Sequence, residues 1–367
     1  MNRQGQDKAV DTTPRLARLR ERLGQEGLDA LWVTGATNRR YLSGFTGSAG
    51  SLLITGDAAL LITDGRYITQ ATAEAPAFTV VRHGTKMLDT LAQQVAELGV
   101  KGLGFEAEHQ TVAFFHQAKA ALDGVELVPT QGLVEGLRMV KDPEELALIR
   151  QAAQMADAAF NALLPDIRPG VSERDLALAL EFDLKSRGAQ DLSFPIIVVS
   201  GPRSALPHGR PTERVLQAGD LVTFDWGCVW GGYCSDVTRT VVIGEPTPRQ
   251  REVYDTVLAA QLAGLAALRP GVTGREVDAA AREVIAAAGY GENFSHGLGH
   301  GLGMDVHEGP RLAAGFDQEL QPGMVVTVEP GIYIPGWGGV RIEDLVVITE
   351  TGYEILSTGV TKELLVL

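Results

Sequence analysis

The chain is short of positive charge, of aromatic residues and of cysteine. Its 32 Lys and Arg face 46 Asp and Glu, a net charge of -14, which argues against nucleic acid or an anionic membrane surface as main partner, because both reward basic patches. Two cysteines, Cys228 and Cys234, exclude a disulfide framework, and both read as small buried hydrophobes. No apolar run approaches the length of a membrane span. The opening MNRQGQDKAVDTTPRL lacks the apolar core of a signal peptide, so the expectation is a soluble, cytoplasmic protein with no membrane partner. What the chain does have is 367 residues at 45% hydrophobic content, enough for two or three domains with cores of their own.

Up to about residue 130, short apolar runs such as LDALWVTG, GSLLITGDAALLITDG and FTVVRH alternate with helix-like segments, the pattern of an α/β domain built on a sheet. Asp64 and Arg66 in LITDGRY read as a turn after a strand. The stretch PTQGLVEGLRMVKDPEEL reads as a junction followed by a helix start. There Asp142 caps, Pro143 takes the first helical position and Glu145 completes a capping box. The expected division is residues 1–135 and 136–367.

Within TFDWGCVWGGYCSDVTRT, Gly231-Gly232 sits between two β-rich runs and signals a two-residue hairpin. Residue i then faces residue 463 minus i, so Asp225 lies opposite Thr238 and Asp236 opposite Gly227. The two aspartates share a face with Thr223, Thr238 and Thr240, roughly 7 to 8 Å apart at Cα. Val222, Phe224, Trp226, Val237 and Val241 take the other face. Unpaired carboxylates in a buried strand cost several kcal/mol each, in order of magnitude, so a positive partner is expected.

The second half repeats itself. RPGVSERDL (168–176) returns as RPGVTGREV (269–277), and LQAGDLVTFDWG (216–227) returns as LQPGMVVTVEPG (320–331). Asp225 and Glu329 hold the same place in their copies. A second carboxylate follows each, Asp236 in YCSDVTRTVVI and Glu343 in VRIEDLVVI. If the halves pack about a pseudo-two-fold axis, four carboxylates converge and cannot all stay ionised without cations. Two divalent ions balance four charges. Between the carboxylate hairpins lies SHGLGHGLGMDVHEGP, with His296, His300 and His307 spaced by glycines.

Asp225, Asp236, His300, Glu329 and Glu343, with FDWG, SDVTRT, HGLGHGLGMDVHE, VEPG and RIEDL around them, resemble the five-ligand pattern of the pita-bread metallopeptidases. YLSGFTGSAGSLLIT followed by TDGRY resembles their creatinase-type N-terminal domain. The resemblance implies an α/β (α+β) architecture, a creatinase-like N-terminal domain followed by a pseudo-two-fold catalytic domain. It implies two divalent ions, with Mn2+ favoured by the oxygen-rich donor set and Co2+, Zn2+ or Fe2+ as alternatives. Asp225 would bind one ion, Asp236 and Glu343 would bridge, and His300 and Glu329 would ligate the second. Glu329 would also serve as acid/base, with His307 and His208 as further catalytic groups. His296, Arg341 and Tyr333 would hold substrate or ligands. Arg203 stands where relatives often have Asn.

Within that superfamily the chain is similar to Xaa-Pro aminopeptidases and Xaa-Pro dipeptidases. The implied activity is release of the N-terminal residue from peptides with proline second, by a homodimer. The alternatives are a dipeptidase restricted to Xaa-Pro dipeptides and a catalytically silent peptide- or protein-binding relative. Methionine aminopeptidases and creatinase-like amidinohydrolases fit less well, the first for want of such an N-terminal domain and the second for want of the metal set.

Overall fold

The computed structural model describes residues 11–367, so most of the stretch considered for a signal peptide lies outside it. The chain divides into two compact units, one ending at Arg138 and one running from Met139 to Leu367. In the first, six strands form one sheet in the order Thr79–Arg82, Ala59–Thr63, Ser51–Thr55, Ala30–Val33, Gly102–Glu106, Glu126–Thr130. The strand Ala30–Val33, all apolar in sequence, pairs antiparallel with Ser51–Thr55 and parallel with Gly102–Glu106. All four of its residues are buried, as a central strand covered on both faces requires. Asp64 and Arg66 form a clasp on an exposed turn, Nη2 to Oδ2 2.8 Å.

The second unit is built twice over. Each copy has a long helix, a second helix packed on it and a sheet beneath: Pro143–Leu163 with Glu173–Ser186, then Pro248–Ala267 with Gly274–Ala287. The starts are specified alike. Asp142 and Glu145 close a capping box before one long helix, and Thr247 and Gln250 close one before the other, each with Pro next to the cap. Ser172 and Thr273 cap the second helices by accepting the backbone N–H groups of Asp175 and Glu276. The copies match down to single hydrogen bonds. Gly170 N donates to Leu216 O and Gly271 N to Leu320 O; Gly219 N donates to Ile243 O and Gly323 N to Ile348 O.

The first copy's sheet pairs Ile197–Ser200 with Leu221–Trp226 and that with Val237–Val242. The hairpin register follows the expected sum, from Leu221 opposite Val242 through Asp225 opposite Thr238 to Trp230 opposite Tyr233. Gly231 and Gly232 have φ of 59° and 86°, the left-handed values a tight hairpin turn needs. The ladder is interrupted at Gly227, where a Cβ would lie 1.9 Å from Ser235 O. That close approach lets Ser235 N reach Cys228 O at 2.9 Å and leaves Asp225 and Asp236 on the same side. On the opposite face Trp226 stacks on Phe160, centroids 4.4 Å apart, and donates its Nε1–H to Ala156 O. Cys228 packs into this core and Cys234 into another, as their opposite faces dictate. Burial raises their thiols to about 11 and about 12, so both act as inert packing residues.

Several buried acids of this unit lie outside the carboxylate face, Asp157 among them. Asp157 accepts the Gly359 N–H at 2.7 Å, while its Oδ1 has no partner. Burial, only partly offset by that hydrogen bond and by Arg239, raises it to about 6. The stability that follows from a raised carboxyl is complete below the ordinary value near 4 and lost as pH climbs through the folded value. Asp157→Asn should therefore remove a decline of about 2–3 kcal/mol between roughly pH 4 and 6. Urea melts across that window check it, and an unchanged slope contradicts it.

Candidate metal centre

The repeated segments deliver their side chains to one cavity of about 710 Å³. Asp225 comes from the end of strand Leu221–Trp226, and Asp236 stands just before Val237–Val242. In the second copy Glu329 follows Val325–Val328 and Glu343 precedes Asp344–Ile348. His300 is on Gly299–Gly301, between the strands Glu308–Leu312 and Val325–Val328. All five line the cavity, together with His208, His296, His307 and Arg341. Tyr333 is not among its lining residues.

Ligand atoms of Asp236, His300 and Glu343 lie within 4.8 Å of one another. His300 Nε2 is 3.7 Å from Asp236 Oδ2 and 3.2 Å from Glu329 Oε1. Burial, then repulsion from neighbouring carboxylates, pushes Asp236 and Glu343 well above the usual carboxylate range. Burial raises Asp225 too, against the pull of Arg341. For Glu329 burial acts upward, but the hydrogen bond and charge of His300 outweigh it and hold the group at about 2. Asp225 Oδ1 is buried with no hydrogen-bond partner. An orphaned buried oxygen, two destabilised carboxylates and one imidazole form a donor set that fits divalent cations with a preference for oxygen ligands.

Arg341 braces the arrangement. Its guanidinium donates to Asp225 Oδ2 at 2.6 Å, Tyr333 Oη at 2.9 Å, Thr238 Oγ1 at 3.0 Å and Pro207 O at 3.2 Å, which ties the loop carrying His208 to the carboxylates. Tyr333 Oη also meets His296 Nε2 at 2.9 Å. Burial holds the His296 imidazole below its ordinary value. His208 is exposed on its loop, and His307 packs edge-on against His300, centroids 4.4 Å apart.

This geometry has close counterparts. Residues 147–350 match the model of metallopeptidase family M24, and residues 15–140 match the creatinase/prolidase N-terminal domain. The chain belongs to metallopeptidase family M24. A solved Xaa-Pro dipeptidase from Bacillus anthracis superposes with a TM-score of 0.95 at 47% identity, over 97% of this chain and 100% of that one. An X-Pro aminopeptidase from Thermotoga maritima superposes at 0.90 and 39%, over 96% and 100%. An Xaa-Pro dipeptidase of Pyrococcus horikoshii is 37% identical over 94% of this chain and 97% of its own length. The second unit thus has the family's pita-bread fold and the first is its creatinase-type domain. Members of this family use divalent metal ions.

Three further residues of this M24 site, Thr327, Arg311 and Phe316, are not singled out by the sequence patterns above. Thr327 Oγ1 accepts from His300 N and donates to Glu329 Oε1, both at 3.1 Å. A signal for it existed, since Thr327 occupies in its copy the place of Thr223, which had been assigned to the carboxylate face. Arg311 and Phe316 line the cavity and carried no signal, because a single Arg or Phe after a turn looks like any other. Arg203 does not line the cavity; its Nε lies 3.2 Å from Glu173 Oε2 and its Nη2 donates to Arg210 O, so it braces the start of a helix.

The first unit has a second cluster of donor atoms, Glu106, His109 and Glu135. There the Asn38 amide already donates to both carboxylates, and the Thr34 and Gly35 N–H groups donate to Glu106 Oε2. That network ties down the start of the helix Ala36–Ser43.

Proposed function

We propose that this M24 metallopeptidase hydrolyses the bond between an N-terminal residue and a following proline, with Xaa-Pro dipeptides as its substrates. The observation that carries the reading is the gathering of Asp236, His300 and Glu343 within 4.8 Å, with Glu329 3.2 Å from His300, beside a cavity walled by Phe194, Pro195 and Phe316. The dipeptidase form is supported by the relatives of that name at 47% and 37% identity.

Asp225, Asp236, His300, Glu329 and Glu343 would hold two divalent ions, Mn2+ by preference. When bound, such ions acidify a water and polarise the scissile carbonyl. Glu329 takes up and passes on the proton, helped by its position between Thr327 and His300. His307 and His208, which line the same cavity, steady developing charge. His296 lies beside the substrate, and Tyr333 and Arg341 hold it and Asp225 in place. The imide nitrogen of an Xaa-Pro bond carries no hydrogen, so recognition falls to apolar contact such as the Phe194–Pro195 wall offers. The same reading carries a cytoplasmic homodimer with it.

A second reading, an aminopeptidase acting on longer peptides, is favoured by the similarity to the Thermotoga maritima X-Pro aminopeptidase. Phe194 and Pro195 also line a groove of about 560 Å³ beside the cavity, room for a chain that continues past proline. Rates on Ala-Pro against Ala-Pro-Pro and longer peptides, with Mn2+ supplied, decide between the two. The dipeptidase reading predicts at least about tenfold higher kcat/KM on the dipeptide; the reverse order replaces it with the aminopeptidase. Full activity on peptides without proline contradicts both.

A further inference from the structure

Lys141 and Glu308 form an ion pair that none of the steps above uses. Nζ and Oε1 are 2.7 Å apart and the side chains are only 1% and 7% exposed. The lysine is fixed from behind: its N–H donates to Gly323 O at 2.9 Å, and Val140 bridges Met324, in the turn that leads into the strand before Glu329. Its Nζ also donates to Met139 O at 3.3 Å. Glu308 opens the strand Glu308–Leu312 directly after His307. A Cβ on Gly303 would lie 2.2 Å from Glu308 Oε1 and 3.0 Å from Lys141 Cε, so the pair fills the space that glycine vacates beneath the bend 303–307.

His307 itself is loosely held. Among the described residues no group hydrogen-bonds its ring, and its contact with His300 is an edge-on packing. The direction in which the imidazole is presented is therefore set by backbone, and the nearest fixed point on that backbone is Glu308. A buried ion pair is a poor device for stability alone, because an apolar pair of similar volume often does as well. What it supplies is a directional anchor.

We propose that Lys141 is a positioning residue: by anchoring Glu308 it fixes the backbone that presents His307 to the reacting peptide. The inference rests on the hydrolase reading above, and the test separates the two. With Lys141→Met, kcat on Ala-Pro falls about 10- to 100-fold, the scale of a misplaced group, while KM stays within about twofold and bound metal, measured by elemental analysis, is unchanged. In the metal-free protein the His307 ring resonances broaden or split by NMR, and those of His296 do not move. The double variant Lys141→Met/Glu308→Gln, which buries neither charge alone, keeps the parent's melting temperature and shows the same low kcat and the same His307 spectrum. It decides the matter if the single variant does not fold.

A folded double variant with the parent's kcat and a sharp, unmoved His307 signal overturns the inference. So does a Lys141→Met variant that loses metal in step with kcat, since the pair would then be holding the centre as a whole. If the parent itself cleaves no Xaa-Pro peptide with Mn2+ present, the hydrolase reading fails, and the His307 spectra alone decide whether Lys141 positions the ring.

Discussion

Stripped of metal by a chelator, the protein should lose its peptidase activity and become less stable as the pH rises, while the metal-loaded form holds steady. The cause lies in Asp236 and Glu343, whose carboxyls burial and then repulsion from neighbouring carboxylates push well above their ordinary range. A carboxyl raised by folding contributes stability that is complete below about pH 4 and is lost as pH climbs through its folded value. Each unit of elevation removes about 1.4 kcal/mol once the group is ionised. Cations should displace those protons, so affinity for an added ion such as Mn2+ should rise with pH and binding should release protons. Metal at about 100 times its Kd adds about 2.7 kcal/mol. Melts at pH 5, 6.5 and 8 with and without Mn2+ read the stability, and calorimetry in two buffers of different ionisation enthalpy counts the protons. Undiminished activity after exhaustive chelation sinks the metal centre as the seat of catalysis.

Much of that centre was legible beforehand because duplication and hairpin geometry are local rules. The Gly231-Gly232 turn set the register, and the register put Asp225 and Asp236 on one face without any tertiary information. The two copies of the capped-helix and carboxylate segments then placed Glu329 and Glu343 by analogy, and the matched hydrogen bonds at Gly170 and Gly271 are the physical expression of that repeat. What the alternation of polar and apolar residues could not show is that both faces of the strands are buried. The threonine face, which by itself looks ready for water, is covered by the other copy: Thr240 Oγ1 donates to Arg341 O and Thr238 Oγ1 to Glu343 Oε2. Non-local partners of this kind leave no periodic trace. For the same reason the four acceptors of Arg341 leave no mark in the sequence, although the resemblance implies a place for it at the site.

Arg341→Met should be the most damaging substitution outside the ligand set. Arg341 is 3% exposed, and its contact with Asp225 Oδ2 at 2.6 Å is the only hydrogen bond to that carboxylate among the described residues, since Oδ1 has none. Removing one partner of a buried ion pair costs about 3–5 kcal/mol, because the other charge remains without compensation. Tyr333 Oη, Thr238 Oγ1 and Pro207 O lose a donor at the same time. In the metal-free protein the full penalty should appear in urea melts. With Mn2+ present it should shrink, because the cation takes over the compensation of Asp225. Metal affinity should nonetheless fall about 10- to 100-fold, the usual effect of losing a group that orients a ligand, and kcat/KM with it. Tyr333→Phe is the graded comparison: it removes one hydrogen bond each from His296 and Arg341 and should cost only about 1–3 kcal/mol. If the Arg341→Met protein melts like the parent with and without metal, Asp225 is not held as the structure implies, and the carboxylate must find its counter-charge elsewhere.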